Sequence, residues 1–324
     1  MNDVKVTIEI MKAPSKLGFG IPLILVTGAD KAVAYKEYAS IDEVKADYAE
    51  TTDTYKMAAL IFLQDSCPEK IACCSATTAM SDALDAVFDK GWRQLLLATP
   101  ADGDVKAAAE YIEVRKDKML FATVADLSEV TALGKGDRTF VWYHTNPLFA
   151  AALVGATAGL DVGSFTYKNL ILKGVDPMDL ADAEITEAHA VNANTFVTKA
   201  GDNVTSEGKV LSGEYADIVD SKDYIIQQIV YREQKLLNSS KKIPYDNPGI
   251  SALESVVAGV LLEAYNNGMI ATNEEGLPDY SVTFKPRSET DPSDRAERKY
   301  VEGTFSFGLA GAIHTVEIKG QIIV

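Results

Sequence analysis

Cysteine is scarce in this sequence of 324 residues. The three cysteines, Cys67, Cys73 and Cys74, are an odd number without the spacing of metal ligands, and adjacent cysteines rarely pair with each other. We therefore predict free thiols in a reducing compartment and no disulfide framework. Cys73 and Cys74 lie within an apolar segment, where a thiol is more often a small core residue than a nucleophile.

Catalytic and nucleotide-binding motifs are missing as well. The chain has three histidines, His144, His189 and His314, and none lies in a metal-ligand spacing. The glycine-rich stretches "GFG" and "GKGD" do not follow a strand and open a helix, as a dinucleotide or phosphate loop does. His144 ends a predicted strand, where active sites often lie, although a structural role is the commoner one. The sequence therefore predicts no catalytic residues, no cofactor and no metal.

Positive charge is in deficit. Lys and Arg number 31 against 47 Asp and Glu, which gives a formal net charge of −16. This balance argues against nucleic acid or an anionic membrane surface as a partner. No apolar run approaches the ~20 residues that span a bilayer, and the first residues lack the layout of a signal peptide. We expect neither secretion nor membrane insertion.

Short apolar runs alternate with helical patterns from Gly20 to about Ala200. A helix is predicted after Ser40, which with Glu43 forms a capping box, and further helices are predicted after Ser81 and from Val105. This alternation predicts an α/β fold with a mixed or mainly parallel sheet. The predicted strands are Ile21–Val26, Lys70–Ser75, Arg93–Thr99, Lys118–Val124, Arg138–His144, Asn169–Lys173 and Thr195–Lys199.

The pattern changes after about Gly201. A strand is predicted at Glu214–Asp220, followed by a helix from Ser221 to about Leu237 and a second helix that opens with a capping box at Ser251. A strand at Tyr280–Lys285, a charged loop and the terminal strands complete a smaller α+β unit. The predicted divisions are an arm at 1–18, an α/β domain at 19–200, an α+β domain at 201–313 and an arm at 314–324.

Both ends of the sequence alternate between apolar and polar residues. This period of two predicts half-buried strands, and terminal segments fray unless a sheet accepts them. Such strands can pair within one molecule, which the pattern alone slightly favours, or add to the sheet of a neighbouring copy. The apolar faces are Val4, Val6, Ile8 and Ile10 at one end, and Val316, Ile318, Ile322 and Val324 at the other.

Two stretches, "SGEYADIVDSKDYIIQQI" from Ser212 and "FSFGLAGAIHTVEIKGQIIV" from Phe305, resemble the tail sheath proteins of contractile bacteriophage tails and related injection machines. In that family a strand with an acidic run, an Asp followed six residues later by Asp-Tyr or Asp-Trp, enters a long helix, as at Asp217, Asp223 and Tyr224. The second helix ends near an Asn-Gly pair, here Asn267 and Gly268. "GFGIPLIL" resembles the family's entry into its α/β domain. The resemblance covers the last third of the chain by motif and the rest by layout.

The resemblance implies a structural protein rather than an enzyme. Sheath subunits donate terminal strands to neighbouring subunits, build a helical cylinder around a tail tube, and contract without nucleotide to drive the tube through a cell envelope. It implies that the terminal strands named above are inter-subunit arms, that the α/β domain faces outward and that the α+β domain faces the tube. The candidate tube contact is the basic end of the first long helix, which on its own is also an ordinary solvated helix end: Arg232, Lys235, Lys241 and Lys242.

The implied partners are further copies of the chain, a tail tube protein, and baseplate and tail terminator proteins. The implied location is a virion tail or tail-like particle assembled in the bacterial host cytoplasm. Two other hypotheses stay open at this point. One is an α/β enzyme or nucleotide-binding protein with a C-terminal dimerisation domain, and the other is a closed homo-oligomer whose termini pair within one molecule. An enzyme should bring together a convergent catalytic set, whereas a sheath should form open-ended tubes.

Overall fold

A six-stranded sheet is the centre of the larger unit. The structure is a computed structural model that describes residues 20–318. The strand order is β2-β3-β1-β4-β5-β6, and only β2 runs antiparallel to its neighbour. The predicted α/β fold with a mainly parallel sheet is confirmed. The strands are β1 (Ile21–Val26), β2 (Val33–Tyr38), β3 (Ile71–Ser75), β4 (Trp92–Leu97), β5 (Met119–Val124) and β6 (Thr139–Tyr143).

Helices cover both faces of this sheet. Alternate residues of β1 enter opposite cores, with Ile24 on one face and Leu23 and Leu25 on the other. Burial on both faces explains why the central strands read as continuous apolar runs. The helices are α1 (Ile41–Lys45), α2 (Asp53–Leu63), α3 (Met80–Val87), α4 (Asp104–Arg115), α5 (Leu127–Ala132), α6 (Phe149–Thr157) and α7 (Asp182–Ala190).

The smaller unit is built on two long helices. Helices α8 (Ala216–Ser239) and α9 (Asn247–Asn266) pack against each other, and an antiparallel hairpin of β9 (Tyr280–Phe284) and β10 (Gly303–Phe307) packs on α9. The short helix α10 (Pro292–Ala296) lies within the connection between β9 and β10. A third apolar cluster forms their core, from Ile225 on α8 to Met269 and Ile270 after α9.

Helix α9 also has the length and composition of a membrane span. Among residues 20–318 it is the one helix that meets this criterion, with a mean hydropathy of 1.2. In the structure its buried residues Val257, Leu261 and Ala264 pack in the third cluster. The apolar content of α9 is thus used, at least in part, for packing on α8 and the hairpin.

The predicted strand at Glu214–Asp220 is wrong, because Ala216 to Asp220 form the first turns of α8. Ala216, Val219 and Asp220 are buried at helical spacing, and a short apolar run does not separate the two periods. Helix α9 likewise begins at Asn247, where Asp246 caps it by accepting the Gly249 N–H at 2.9 Å. The capping box predicted at Ser251 therefore falls inside the helix.

The predicted strand at Asn169–Lys173 is also wrong. Its backbone forms two hydrogen bonds with the backbone of Thr205 and is otherwise bonded by side chains, since the Gln64 amide bonds both the N–H and the carbonyl of Lys173, at 3.0 and 2.8 Å. The Leu170 N–H donates to the Thr205 hydroxyl at 2.8 Å. The edge strand β2, by contrast, was not predicted from its mixed sequence VAYKEY.

A small hairpin of β7 (Phe196–Lys199) and β8 (Asp202–Thr205) spans the predicted limit at position 200. Beyond it, Val210, Leu211 and Val219 still pack in the cores of the six-stranded sheet, and Ile225 is the first residue of the third cluster. The start of α8 therefore packs in the core of the six-stranded sheet, and the helix passes into the third cluster from Ile225 onward. The division at 201 and the arm at 314–324 stay predictions, and the arm at 1–18 lies outside the described residues.

Candidate assembly interface

The β9–β10 hairpin is a two-stranded sheet with open edges. Five residue pairs join the strands, from Gly303 opposite Phe284 to Phe307 opposite Tyr280, and no third strand joins them within residues 20–318. A two-stranded sheet is marginal by itself, and its edges present backbone N–H and C=O groups ready to pair. The hairpin thus has the geometry of a strand acceptor.

An apolar groove opens between α8, α9 and this hairpin. Its cavity volume is about 310 Å³. The Phe284 ring stacks on Tyr300, with centroids 5.6 Å apart and planes 11° apart. Val301 and Phe305 at the groove remain exposed, so described residues do not fill it. The groove is lined by Ile229, Glu233, Leu253, Val257, Phe284, Tyr300, Val301, Gly303 and Phe305.

One carboxyl group lies among these apolar side chains. Glu233 Oε2 is buried and accepts no hydrogen bond from the described residues. Burial raises the pKa of Glu233 to about 6. A partner that covers the groove would remove this carboxyl from the remaining water, which favours its neutral form further.

Exposed large apolar side chains are concentrated in the smaller unit. Within the described residues, three of them, Leu63, Val114 and Ile171, precede residue 225. Soluble monomers rarely expose large contiguous apolar surface, so this concentration indicates an interaction surface. Those that follow residue 225 are Ile226, Val230, Leu237, Leu262, Leu277, Val301, Phe305, Ile313, Val316 and Ile318.

The structure describes part of the predicted C-terminal arm. Val316 and Ile318 are 72% and 87% exposed, and the backbone from Thr315 to Ile318 forms no ladder with other described residues. The remaining predicted arm residues, Val4, Val6, Ile8, Ile10, Ile322 and Val324, lie outside the described residues. The role of both arms therefore stays a prediction.

The predicted basic tube contact lies at the end of α8. Arg232 is engaged with Glu263 of α9, with Nη2 2.5 Å from Oε2. The Lys235 Nζ lies 5.7 Å from the ring centroid of Tyr231. Lys241 and Lys242 are exposed. Arg232 and Lys235 thus lie in the last turns of α8 and Lys241 and Lys242 directly after it, and their contact with a tube stays a prediction.

A buried ionic network fastens the start of α8 to the sheet. Arg93 on β4 is 4% exposed and contacts Asp220 at 2.8 Å and Asp223 at 2.7 Å. Arg138, just before β6, also pairs with Asp223, and the Tyr167 hydroxyl donates to Asp220 at 2.9 Å. Because α8 continues into the smaller unit, this network joins the two units through one helix. Asp220 and Asp223 lie three residues apart, a helical spacing that spans the predicted boundary between the strand ending at Asp220 and the helix from Ser221.

The side chains with possible catalytic chemistry are used in packing. The His144 ring stacks on Phe149 with centroids 4.6 Å apart, Nδ1 accepts from the Asn146 N–H, and Nε2 lies 2.9 Å from the Asp176 carbonyl. Burial lowers the pKa of His144 and raises that of Cys73. Residues 20–318 contain no group of three or more His, Cys, Asp or Glu side chains that could hold a metal ion.

Comparison with known proteins identifies similar proteins for both units. Residues 216–322 match the family model described as "E217 tail sheath protein gp31-like, C-terminal domain". The comparison with curated proteins gives no match.

Solved structures with a similar fold include an anti-feeding prophage baseplate chain, at a TM-score of 0.76 and 13% identity over 100% of both chains. The contracted helical sheath of the anti-feeding prophage matches with a TM-score of 0.74 and 14% sequence identity over 99% of both chains. A sheath tail protein from Listeria innocua matches with a TM-score of 0.58 and 8% sequence identity, and the match covers 90% of this chain and 96% of that one. At these identities the likeness establishes the fold. Residues 216–322 thus match the model of a tail sheath C-terminal domain, and the chain as a whole has the fold of contractile sheath proteins.

Proposed function

We propose that this chain is the subunit of a contractile sheath, which polymerises into a helical cylinder around a tail tube by inter-subunit strand addition. The observation that carries the proposal is the open β9–β10 hairpin beside an unfilled apolar groove. A neighbouring strand would complete the hairpin through main-chain hydrogen bonds and place alternate apolar side chains in the groove. The family match of residues 216–322 supports the same assignment.

The donors are the terminal arms. Val316 and Ile318 lie on one face of an exposed segment, and Val4, Val6, Ile8 and Ile10 repeat that spacing near the other end. An arm donated by one copy to the next is a heterologous contact, which builds an open helical polymer rather than a closed ring when the rotation does not close. The acceptor and the donors lie on different segments, as such a contact requires.

Contraction would use the lattice itself as its store of energy. Each subunit rotates as a body while the paired arms keep it connected to its neighbours, and the more favourable packing of the contracted state drives the change. The anti-feeding prophage sheath with the same fold is described in a contracted state. Neither a catalytic centre nor a nucleotide enters this mechanism.

We further place the tail tube against the end of α8. Arg232, Lys235, Lys241 and Lys242 carry positive charge there in a chain of net charge −16, and would face an acidic tube surface. Baseplate and tail terminator proteins would cover the two ends of the cylinder, where arms or acceptors have no partner. The location would be a virion tail or tail-like particle, assembled in the host cytoplasm.

Electron microscopy of two charge variants tests this function. We expect hollow tubes of uniform width from the purified parent chain and none from Ile318→Asp, because a carboxylate on the docking face must be desolvated in the groove. The matched control is Val114→Asp on α4, since Val114 is 83% exposed and Ile318 87%. It should form tubes like the parent.

Removal of residues 315–324 should likewise give a folded subunit that does not polymerise. Normal tubes from both the truncation and Ile318→Asp would contradict the role of the C-terminal arm. Closed particles of fixed mass from the parent in all conditions would contradict the sheath itself.

A further inference from the structure

One residue interrupts the exposed C-terminal segment. Between Gly311 and Ile318 every residue is exposed except His314, whose side chain is 10% exposed. Its neighbour Ile313 is 85% exposed. An exposed segment with a single buried polar side chain indicates a local point of attachment.

The attachment is a socket on the larger unit. His314 Nδ1 lies 2.7 Å from Glu207 Oε1, and Nε2 lies 2.9 Å from the Thr166 hydroxyl. The ring meets Tyr215 edge to face, with centroids 4.7 Å apart. A carboxylate only accepts, so Nδ1 carries a proton and donates to Glu207. The Thr166 hydroxyl can donate to a neutral Nε2 or accept from a protonated one, so the socket satisfies both ring nitrogens.

Charge strengthens this contact. Burial would raise the pKa of Glu207, but the hydrogen bond from His314 and the positive charge of Lys168, whose Nζ lies 3.6 Å from Glu207, outweigh it and lower the pKa. Glu207 therefore stays ionised at neutral pH. Hydrogen bonds to an ionised acceptor are stronger than those between neutral groups.

The segment before His314 is attached elsewhere. The Ala310 N–H donates to the Met269 carbonyl at 2.9 Å, and Met269 belongs to the core of the smaller unit. The socket residues Thr166 and Glu207 belong to the larger unit, because Tyr167 directly after Thr166 and Val210 three residues after Glu207 pack in a core of the six-stranded sheet. Residues 311–313 thus cross from one unit to the other, and the predicted strand starts at Thr315, directly after the socket.

We infer that His314 is a positioning residue that fastens the base of the C-terminal arm to the larger unit and fixes the direction in which the arm leaves. The inference deepens the proposed function, because the arm is taken as a donor strand. The attachment that precedes the socket is at Ala310, so loss of the socket frees four more residues at the base of the arm, which allows about 13 Å of additional reach. When such a subunit rotates during contraction, the base of its arm would no longer move together with its larger unit.

The attachment can be measured in the unassembled subunit. Spin labels at Ala107→Cys on α4 and at Val316→Cys report the distance between the larger unit and the arm, in a Cys67→Ser background because Cys67 is a half-exposed free thiol. We expect a narrow distance distribution for the full chain and, in His314→Ala, one broader by up to about 13 Å. Thr166→Val should broaden it less, because one of the two hydrogen bonds is kept.

The matched control is His189→Ala. His189 is also partly buried and lies close enough to Glu207 for their charges to interact, but its side chain bonds the Ser206 hydroxyl at 2.8 Å, and no hydrogen bond joins it to the arm within residues 20–318. It should leave the distribution narrow. A parent distribution as broad as that of His314→Ala would overturn the inference. This result does not depend on tube formation, so failure of the sheath proposal and failure of the socket are separate outcomes.

Discussion

The network at the start of α8 gives the most quantitative prediction. Replacing Arg93 with Met keeps the volume and apolar stem of the side chain but removes the cation between Asp220 and Asp223. Within residues 20–318, Asp223 keeps its pair with Arg138, whereas Asp220 keeps only the hydrogen bond from the Tyr167 hydroxyl. The variant therefore leaves a buried carboxylate without its counter-ion.

The cost follows from the burial of this pair. Breaking a buried ion pair by removing one partner costs about 3–5 kcal/mol, because the other charge stays desolvated. Asp220 can relieve part of this by taking up a proton, since burial already raises its pKa in spite of the nearby Arg93. We therefore expect the lower end, about 3 kcal/mol, for Arg93→Met at pH 7. This is a large part of the ~5–15 kcal/mol that stabilises a typical domain.

Urea unfolding monitored by tryptophan fluorescence measures this loss, because Trp92 lies next to Arg93 and both belong to β4. The matched control is Arg115→Met on α4, where the pair with Asp85 is exposed and should contribute about 0–1 kcal/mol. Asp220→Asn in the Arg93→Met background should cost little more than Arg93→Met alone, because the unpaired charge is then gone. A loss for Arg93→Met no larger than that for Arg115→Met would refute the reasoning that this network fastens α8.

Two further substitutions test the groove. Because burial raises the pKa of Glu233 from 4.5 to about 6, its contribution to stability is complete below pH 4.5 and is lost as the pH rises through 6. Above pH 6, Glu233→Gln should therefore have a free energy of unfolding about 1 kcal/mol higher than the parent, after allowance for partial exposure, and should unfold at a higher urea concentration. At pH 4 the two proteins should be equally stable. A Cβ at Gly303 would lie 2.7 Å from the Phe284 ring, so Gly303→Ala should destabilise by about 1–3 kcal/mol. Gly259→Ala on α9, where a Cβ meets no atom within 4 Å, should leave the free energy of unfolding in urea unchanged or raise it.

The sequence was most informative where one element dictates its own pattern. Strands β1 and β3 were predicted within a residue of their bounds because both faces of each are buried, which leaves an uninterrupted apolar run between breakers. The N-cap at Ser40 was predicted because the signal is local, and its hydroxyl accepts the Glu43 N–H. Such features depend on neighbours in sequence rather than on the fold.

Features decided by distant residues could not be predicted. Strand β2 pairs only at the sheet edge, where its polar residues are tolerated, and residues 169–173 depend on Gln64, whose position relative to them is set by the fold. The groove combines side chains from α8, α9 and the hairpin, and the His314 socket combines residues from 166 to 314. No local period encodes such clusters. The alternation that predicts the arms is local and can be read from the sequence, whereas the hairpin that we propose as their acceptor is formed by residues distant in sequence.

The position of Glu233 predicts that assembly takes up protons. A strand that covers the groove would raise the pKa of Glu233 above its value of about 6 in the free subunit. A group whose pKa is higher in the assembled state favours assembly as the pH falls, so the critical concentration for tubes should decrease from pH 7 to pH 5. Linkage limits the effect of one carboxyl to about tenfold per pH unit.

Sedimentation of tubes from pH 5 to pH 7 measures the slope of the critical concentration against pH. Glu233→Gln should flatten it, since an amide carries no titrating proton, while Glu254→Gln, a change on α9 outside the residues that line the groove, should not. The comparison must use the slope rather than the critical concentration at one pH, because a neutral side chain in the groove also favours docking at pH 7. If Glu233→Gln keeps the parent slope, the protons are taken up elsewhere, and the groove is not the surface that assembly buries.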